Sequence, residues 1–259
     1  MIYVMSDLHG HYKEFMRMLS LIKFDEKNDK LYILGDVIDK GPAPVQLLLY
    51  IASKQNIILL RGNHEDMMLK SFKEMDTPGA KRYMALWMQN GGSITLSQFV
   101  ELTEIEQSLL IDYIEDLPII QRIECDNRKY YLTHSTYIKE LCNKDKDCEY
   151  ANDLSDKQIY EALWSREYPY NNIKTYTEVY NKYKDYTLIG GHTPAYKLSK
   201  DYYYSRENNI LYKTHILRKK HYINVDGGLA GASNEKCIRR LGCLRLDDMT
   251  EYYIEQAPI

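Results

Sequence analysis

The chain has 259 residues, 44% of them hydrophobic and 27% charged, with 34 Lys and Arg against 37 Asp and Glu for a formal net charge of −3. A chain of that length can bury roughly 70–75% of its unfolded surface, so a sizeable core is available to it. The slightly acidic balance excludes a broad electrostatic footprint for nucleic acid, and no apolar run comes near the roughly 18 residues that a membrane helix needs.

In chain order, the N-terminus enters an apolar run at Ile2 with no basic segment before it and reaches Ser6 and Asp7 at once. That leaves no room for a signal-peptide core, and a cytoplasmic location is expected. "IYVM" (2–5) predicts a strand ending in "SDLHG", and Phe15, Met18, Leu19 and Ile22 fall at helical spacing over 12–22. "KLYIL" (30–34) predicts a second strand, ending in "GDVIDKGP". Pro42 suits the start of the next helix, whose buried stripe is Val45, Leu48, Leu49 and Ala52. "NIILL" (56–60) delivers a third strand into "RGNHE". Three strand, polar loop, helix units in about 75 residues predict a largely parallel, buried sheet with helices over it. The polar loops leave the carboxyl ends of its strands, where open α/β sheets bind ligands.

Residues 80–115 read as helices interrupted by a turn at "NGGS" (90–93), and "PIIQRIEC" (118–125) pairs with "KYYLTHS" (129–135) across "DNRK". A polar, tyrosine-rich excursion follows over 136–185, with one helix at about 156–164. "YTLIGGHTP" (186–194), "HYINVDGG" (221–228) and "GCLRLDD" (242–248) are again strand-to-loop units, and "EYYIE" (251–255) closes the chain. No linker divides the sequence, so a single domain over 1–259 is expected. The five cysteines, at 125, 142, 148, 237 and 243, form no C-x-x-C pair and read as reduced, structural residues.

The chemistry concentrates at strand ends. Asp7 and His9 are two apart and project to one side of an extended segment; Asp36 follows Gly35, and a carboxylate can bridge two cations. Asn63 offers an amide oxygen, and His134 and His192 each follow an apolar run. Singly, such residues are as readily caps or satisfied core groups. Together they form an oxygen and nitrogen donor set without thiolate, suited to manganese, iron or zinc. His11, His215 and His221 lack that setting and read as structural or solvent-exposed.

"SDLHG", "GDVIDKG", "RGNHE", "THS" and "GGHTP", in that order, resemble the signatures of the calcineurin-like metallophosphoesterases, within them most closely the bacterial and phage phosphoprotein phosphatase branch. The resemblance spans residue 2 to about 250 and takes in "NVDGG" and "LGCLRLDD". It implies a central β-sandwich of two mixed sheets flanked by helices, an α/β layered fold. It implies one metal held by Asp7, His9 and Asp36 and a second held by Asp36, Asn63, His134 and His192, with Asp36 as the bridge. His64 and Asp39 become a carboxylate–imidazole pair near the leaving group, and Lys40, Arg61, Asn63 and Arg166 become candidate substrate contacts. Two departures stand out. Lys40 replaces the family's arginine, supplying charge without a planar two-pronged contact, and Ser135 and Thr136 follow the histidine where small residues are usual. Arg61 could bind phosphate or pair with a nearby acid, and Glu65 could cap the helix that begins there.

The activity so implied is phosphoester hydrolysis by in-line attack of a metal-bridging hydroxide, with two divalent ions, manganese preferred over iron or zinc, and His64 as general acid. The expected substrate is a phosphorylated protein or small phosphoester, with serine/threonine-type protein phosphatase as the first reading and symmetrical dinucleoside polyphosphate hydrolase as the alternative. A non-catalytic scaffold is the weaker rival, because folding does not require these ligands to converge. Neither a membrane nor a nucleic acid is an expected partner.

Overall fold

The computed structural model describes residues 1–73, 77–138, 141, 146–166, 185–198, 212–231 and 237–256. The first two units form as strand, loop and helix, but the buried face of the second helix is Val45, Leu47, Leu48 and Ile51, leaving the expected Leu49 and Ala52 exposed. Strand β1 (Ile2–Met5) leads to helix α1 (Tyr12–Leu21), and β2 (Lys30–Ile33) leads to α2 (Pro44–Ala52). Helix α2 begins at Pro44 rather than at Pro42, because Pro44 occupies the first turn, where a missing N–H costs nothing. Strand β3 (Ile57–Leu59) then runs into α3 (Asn63–Phe72).

Three further helices follow: α4 (Pro78–Gln89), α5 (Ser93–Phe99) and α6 (Glu104–Glu115). Thr77 caps α4 and Thr103 caps α6, each hydroxyl accepting from the third backbone N–H of its helix. Strands β4 (Ile120–Cys125) and β5 (Arg128–Thr133) pair antiparallel. Asp126 and Asn127 both have positive φ, 50° and 57°, as a two-residue hairpin turn of matching twist requires.

The excursion contributes β6 (Cys148–Glu149), a short 3₁₀ turn at Ala151–Asp153 and α7 (Asp156–Trp164). Cys142 and most of the remainder of 136–185 lie outside the described residues. Strand β7 (Tyr186–Gly190) and helix α8 (Ala195–Leu198) precede β8 (Tyr212–Lys213), β9 (Leu217–Lys219), β10 (Tyr222–Asn224), β11 (Cys237–Ile238), β12 (Arg240–Arg245) and β13 (Glu251–Glu255).

One sheet has the order β13-β12-β1-β2-β3 and a second the order β6-β4-β5-β7-β10-β9, with β8 and β11 forming a small ribbon. Both large sheets are mixed. β1, β2 and β3 are parallel but β12 joins them antiparallel, while β5, β7 and β10 are parallel and flanked by antiparallel β4 and β9. The expected continuous parallel run is therefore confined to three strands in each sheet.

Alternation within the strands sets the layers. Tyr3, Met5, Leu31, Ile33, Ile57 and Leu59 face the helices, packing with Phe15, Met18, Leu48 and Met68. The residues between them, Val4, Tyr32, Leu34 and Leu60, face the second sheet and meet Tyr130, Leu132, Ile189 and Val225. On the far side of that sheet, Tyr131, Leu188 and Tyr222 pack with Ala162 and Leu163 of α7. The result is a β-sandwich with helices outside each sheet, as the motifs imply. Among the described residues no helix is long and apolar enough to cross a membrane.

Candidate metal centre

Both sheets send the carboxyl ends of their parallel strands to one edge of the sandwich. The first brings Asp7 and His9 after β1, Asp36 after β2 and Asn63 after β3, and the second brings His134 after β5 and His192 after β7. Backbone bonds lock these loops together: His9 N–H donates to Asp36 O at 2.9 Å, Gly10 N–H to Val37 O at 2.7 Å, and Gly191 N–H to His134 O at 2.7 Å. Close approach is enforced at Gly62, where a Cβ would overlap Asp36 Oδ1. Asp7, His9, Asp36, Asp39, Lys40 and His192 all carry positive φ, between 41° and 72°. Non-glycine residues hold that conformation at a cost of about 1–2 kcal/mol each, and such strain gathers at functional sites.

Two donor clusters result, His9 with Asp36 and His64, and Asp36 with His134 and His192, the donor atoms within each lying no more than 4.8 Å apart. Asp36 belongs to both. The tautomers follow from the outer partners. His134 gives Nδ1–H to Leu34 O at 2.6 Å and His9 gives Nδ1–H to Ile38 O at 2.9 Å, so both Nε2 atoms carry lone pairs.

His134 Nε2 then faces Asn63 Oδ1 at 2.9 Å, His192 Nδ1 at 3.2 Å and Asp36 Oδ1 at 3.4 Å, while Asn63 Oδ1 is also 3.0 Å from His192 Nδ1. Lone pairs aimed at one another at these distances repel unless a cation lies among them, and His192 Nε2 is buried with no hydrogen-bond partner among the described residues. Burial pushes the pKa of His9 and His192 well down, which favours the neutral imidazole, the form that ligates. Burial, then the carboxylates of Asp7 and Glu65, push Asp36 well up, so its anion calls for cationic company. The donor set therefore fits divalent ions. Asp7 stands slightly apart, its Oδ2 accepting from Ser6 Oγ and from the N–H of His192 at 3.0 Å.

Within the first cluster, His64 turns Nδ1 outward to Asp39 Oδ2 at 2.5 Å and Nε2 inward, 3.7 Å from Asp36 Oδ2. Burial raises the Asp39 carboxyl to about 7, against the opposing pull of hydrogen bonds from Thr95 and Trp87. At the rim, Lys40 Nζ lies 3.1 Å from His9 Nε2, so its ammonium supplies the positive charge that this lone pair faces. Arg166 donates to Thr193 Oγ1 at 2.7 Å, beside His192, whose pKa it helps depress.

Arg61, named among the expected substrate contacts, makes its described contacts elsewhere. Its side chain is buried, donating to Glu115 O and pairing with Asp66 at 3.7 Å, between α3 and the end of α6; of its two readings, pairing with an acid describes these contacts. Glu65 does more than cap. Its carboxylate accepts from the N–H of Gly62, Asp36, Val37 and Ile38 at 2.9, 2.9, 2.8 and 3.2 Å. Sequence reasoning missed Trp87, Thr95 and Asp226. Asp226, within the quoted "NVDGG", is buried and accepts from Gly228 N–H at 2.7 Å; burial and then the charge of Asp7 raise its pKa well above the carboxylate range.

A helix-flanked double sheet carrying two nitrogen and oxygen clusters joined by one aspartate defines a dinuclear-metal hydrolase. The chain belongs to the calcineurin-like phosphoesterase family, whose model matches residues 1–231, and it is a metal-dependent phosphoester hydrolase. It is similar to serine/threonine-protein phosphatase 1 of Salmonella typhimurium, with 27% identity over 64% of this chain and 68% of the relative. It is also similar to the symmetrical bis(5'-nucleosyl)-tetraphosphatase of Wigglesworthia glossinidia brevipalpis, with 43% identity over 29% of this chain and 30% of the relative. A solved protein serine/threonine phosphatase from Saccharomyces cerevisiae shares the fold, with a TM-score of 0.57 at 15% identity, covering 100% of this chain and 80% of that one.

Proposed function

We propose that the chain is a cytoplasmic serine/threonine-type protein phosphatase, a phosphomonoesterase whose residues 1–259 form one catalytic domain. The observation that supports this most is the convergence of both donor clusters on Asp36. Asp7, His9 and Asp36 would hold one ion, and Asp36, Asn63, His134 and His192 the other, with manganese preferred over iron or zinc. Such ions would supply Lewis acidity to activate the attacking water and positive charge to offset the phosphoryl oxygens.

The chain's own groups do the rest. Lys40 and Arg166 hold phosphoryl oxygens at the rim and orient phosphorus. Asp39 fixes the tautomer of His64 and stabilises its cation, and His64 Nε2 gives its proton to the departing ester oxygen as the P–O bond breaks. Proton donation of that kind contributes about 10²- to 10⁴-fold. The products are the free hydroxyl and inorganic phosphate.

The longer of the two alignments, with a protein phosphatase, supports the monoester reading. The denser match over 81 residues supports the second, hydrolysis of a dinucleoside polyphosphate. The test is a manganese-supplemented panel of p-nitrophenyl phosphate, a phosphoserine/phosphothreonine peptide, a phosphotyrosine peptide and diadenosine tetraphosphate. The highest kcat/KM is expected on the phosphoserine/phosphothreonine peptide. Preference for diadenosine tetraphosphate would establish the second reading, and hydrolysis of none of the four would overturn both.

A further inference from the structure

We propose that Trp87 and Thr95 are positioning residues for phosphoester hydrolysis, holding the Asp39 carboxylate in the orientation that meets His64. The inference rests on the acid role given to His64 above. Asp39 is wholly buried, and its two oxygens are fully committed. Oδ1 accepts from Thr95 Oγ1 at 2.5 Å and from Trp87 Nε1 at 3.0 Å, while Oδ2 accepts from Trp87 Nε1 at 2.8 Å and faces His64 Nδ1 at 2.5 Å.

The direction of the threonine bond is determined. Asp39 N–H donates to Thr95 Oγ1 at 2.9 Å, so the hydroxyl proton is left for the carboxylate. One side chain thus grips Asp39 at backbone and carboxylate at once, which holds a non-glycine residue at φ 72°. Rotation of the carboxylate would break bonds to both helices.

Trp87 and Thr95 come from the last turn of α4 and the first turn of α5, joined through Gly91 and Gly92. At Gly92 a Cβ would stand 2.6 Å from the indole, so the turn can close on Trp87 only with glycine there. The same turn accepts the N–H of Lys40 at Gly91 O, 3.3 Å away. Both Trp87 and Thr95 are 0% exposed. A site that asked only for packing could take phenylalanine and valine, since a buried polar group is costly unless bonded. Here every donor is aimed at one carboxylate, and hydrogen bonds from Thr95 and Trp87 favour its ionised form.

The test compares Thr95→Val, nearly isosteric but without the hydroxyl, with Thr95→Ser, which restores it. On the manganese-loaded protein, Thr95→Val should lower kcat for phenyl phosphate by about 10-fold or more, the loss expected of one hydrogen bond to a charged group. The deficit should be several-fold smaller for p-nitrophenyl phosphate, whose leaving group needs little protonation, with KM and metal content unchanged. Thr95→Ser should recover most of the rate, and Thr95→Val should add nothing to His64→Asn if both act through one proton. Trp87→Phe should reproduce the leaving-group pattern. Equal losses on both esters, or failure of Thr95→Ser to recover activity, overturn the inference. A graded deficit in His64→Asn with none in Thr95→Val overturns the inference alone, whereas a uniform deficit in His64→Asn overturns the acid assignment and the inference with it.

Discussion

Glu65, on the first turn of α3, accepts the backbone N–H of Asp36 at 2.9 Å, a carboxylate from one strand-end loop holding the metal-bridging candidate of another. Four N–H groups in all converge on it, from Gly62 and from Asp36 to Ile38. Glu65→Gln keeps the shape but turns one acceptor into a donor facing donors. We expect a loss of about 2–4 kcal/mol in stability and a 10- to 100-fold loss of metal affinity, read by urea denaturation and by metal titration. Retention of both would mean that the loop holds Asp36 without Glu65.

Asp36→Asn probes the bridge directly. The amide keeps the volume and one oxygen, but it removes the anion that both clusters share. We expect phosphatase activity to be abolished with the fold intact by circular dichroism, and metal analysis to show fewer than two ions per chain. Full activity would sink the two-metal reading.

Lys40 sits where its ammonium and a bound cation would compete, with Nζ 3.1 Å from His9 Nε2. Lys40→Ala should therefore bind manganese several-fold more tightly while raising KM for monoesters more than it lowers kcat, because a ground-state phosphate contact is removed. Lys40→Arg should preserve monoester turnover. If it instead harms diadenosine tetraphosphate hydrolysis alone, the lysine serves a polyphosphate chain, whose successive oxygens a flexible point charge can follow. Isothermal titration and kinetics on both substrates separate these outcomes.

The pH dependence of stability in the chelated protein follows from Asp39. In the fold its carboxyl titrates near 7, raised by burial, whereas in the unfolded chain it titrates near 3.8. Between those values the folded state binds more protons than the unfolded state. Its contribution is therefore fully favourable below about pH 4 and is lost as pH rises through about 7, by up to about 1.4 kcal/mol per pH unit. Asp39→Asn removes the titration, so the stability difference between wild type and variant should move against wild type from pH 4.5 to pH 7. Denaturant melts in excess chelator measure it, and parallel curves would exclude Asp39 as the titrating group.

Much of the candidate site was legible in the sequence, because each candidate ligand lies within a few residues of an apolar run and strand ends can be recognised locally. Asp7, His9, Asp36, Asn63, His134 and His192 announce themselves in that way, as do the β4–β5 hairpin and helix α7. The start of helix α2 lies two residues beyond the expected Pro42, because Pro42 and Pro44 carry the same local signal and Pro44 is the one that falls in the first turn.

Contacts made across the fold were not legible. That Arg61 turns to Asp66 and Glu115, that Glu65 gathers the Asp36 loop, and that Trp87 and Thr95 converge on Asp39 are decided by side chains 5 to 56 positions apart. A sequence determines by itself which donor types stand at which strand ends, since propensity and alternation act over a few residues. Only tertiary packing decides where each side chain points, because that depends on which distant element fills the space and offers the complementary donor or acceptor.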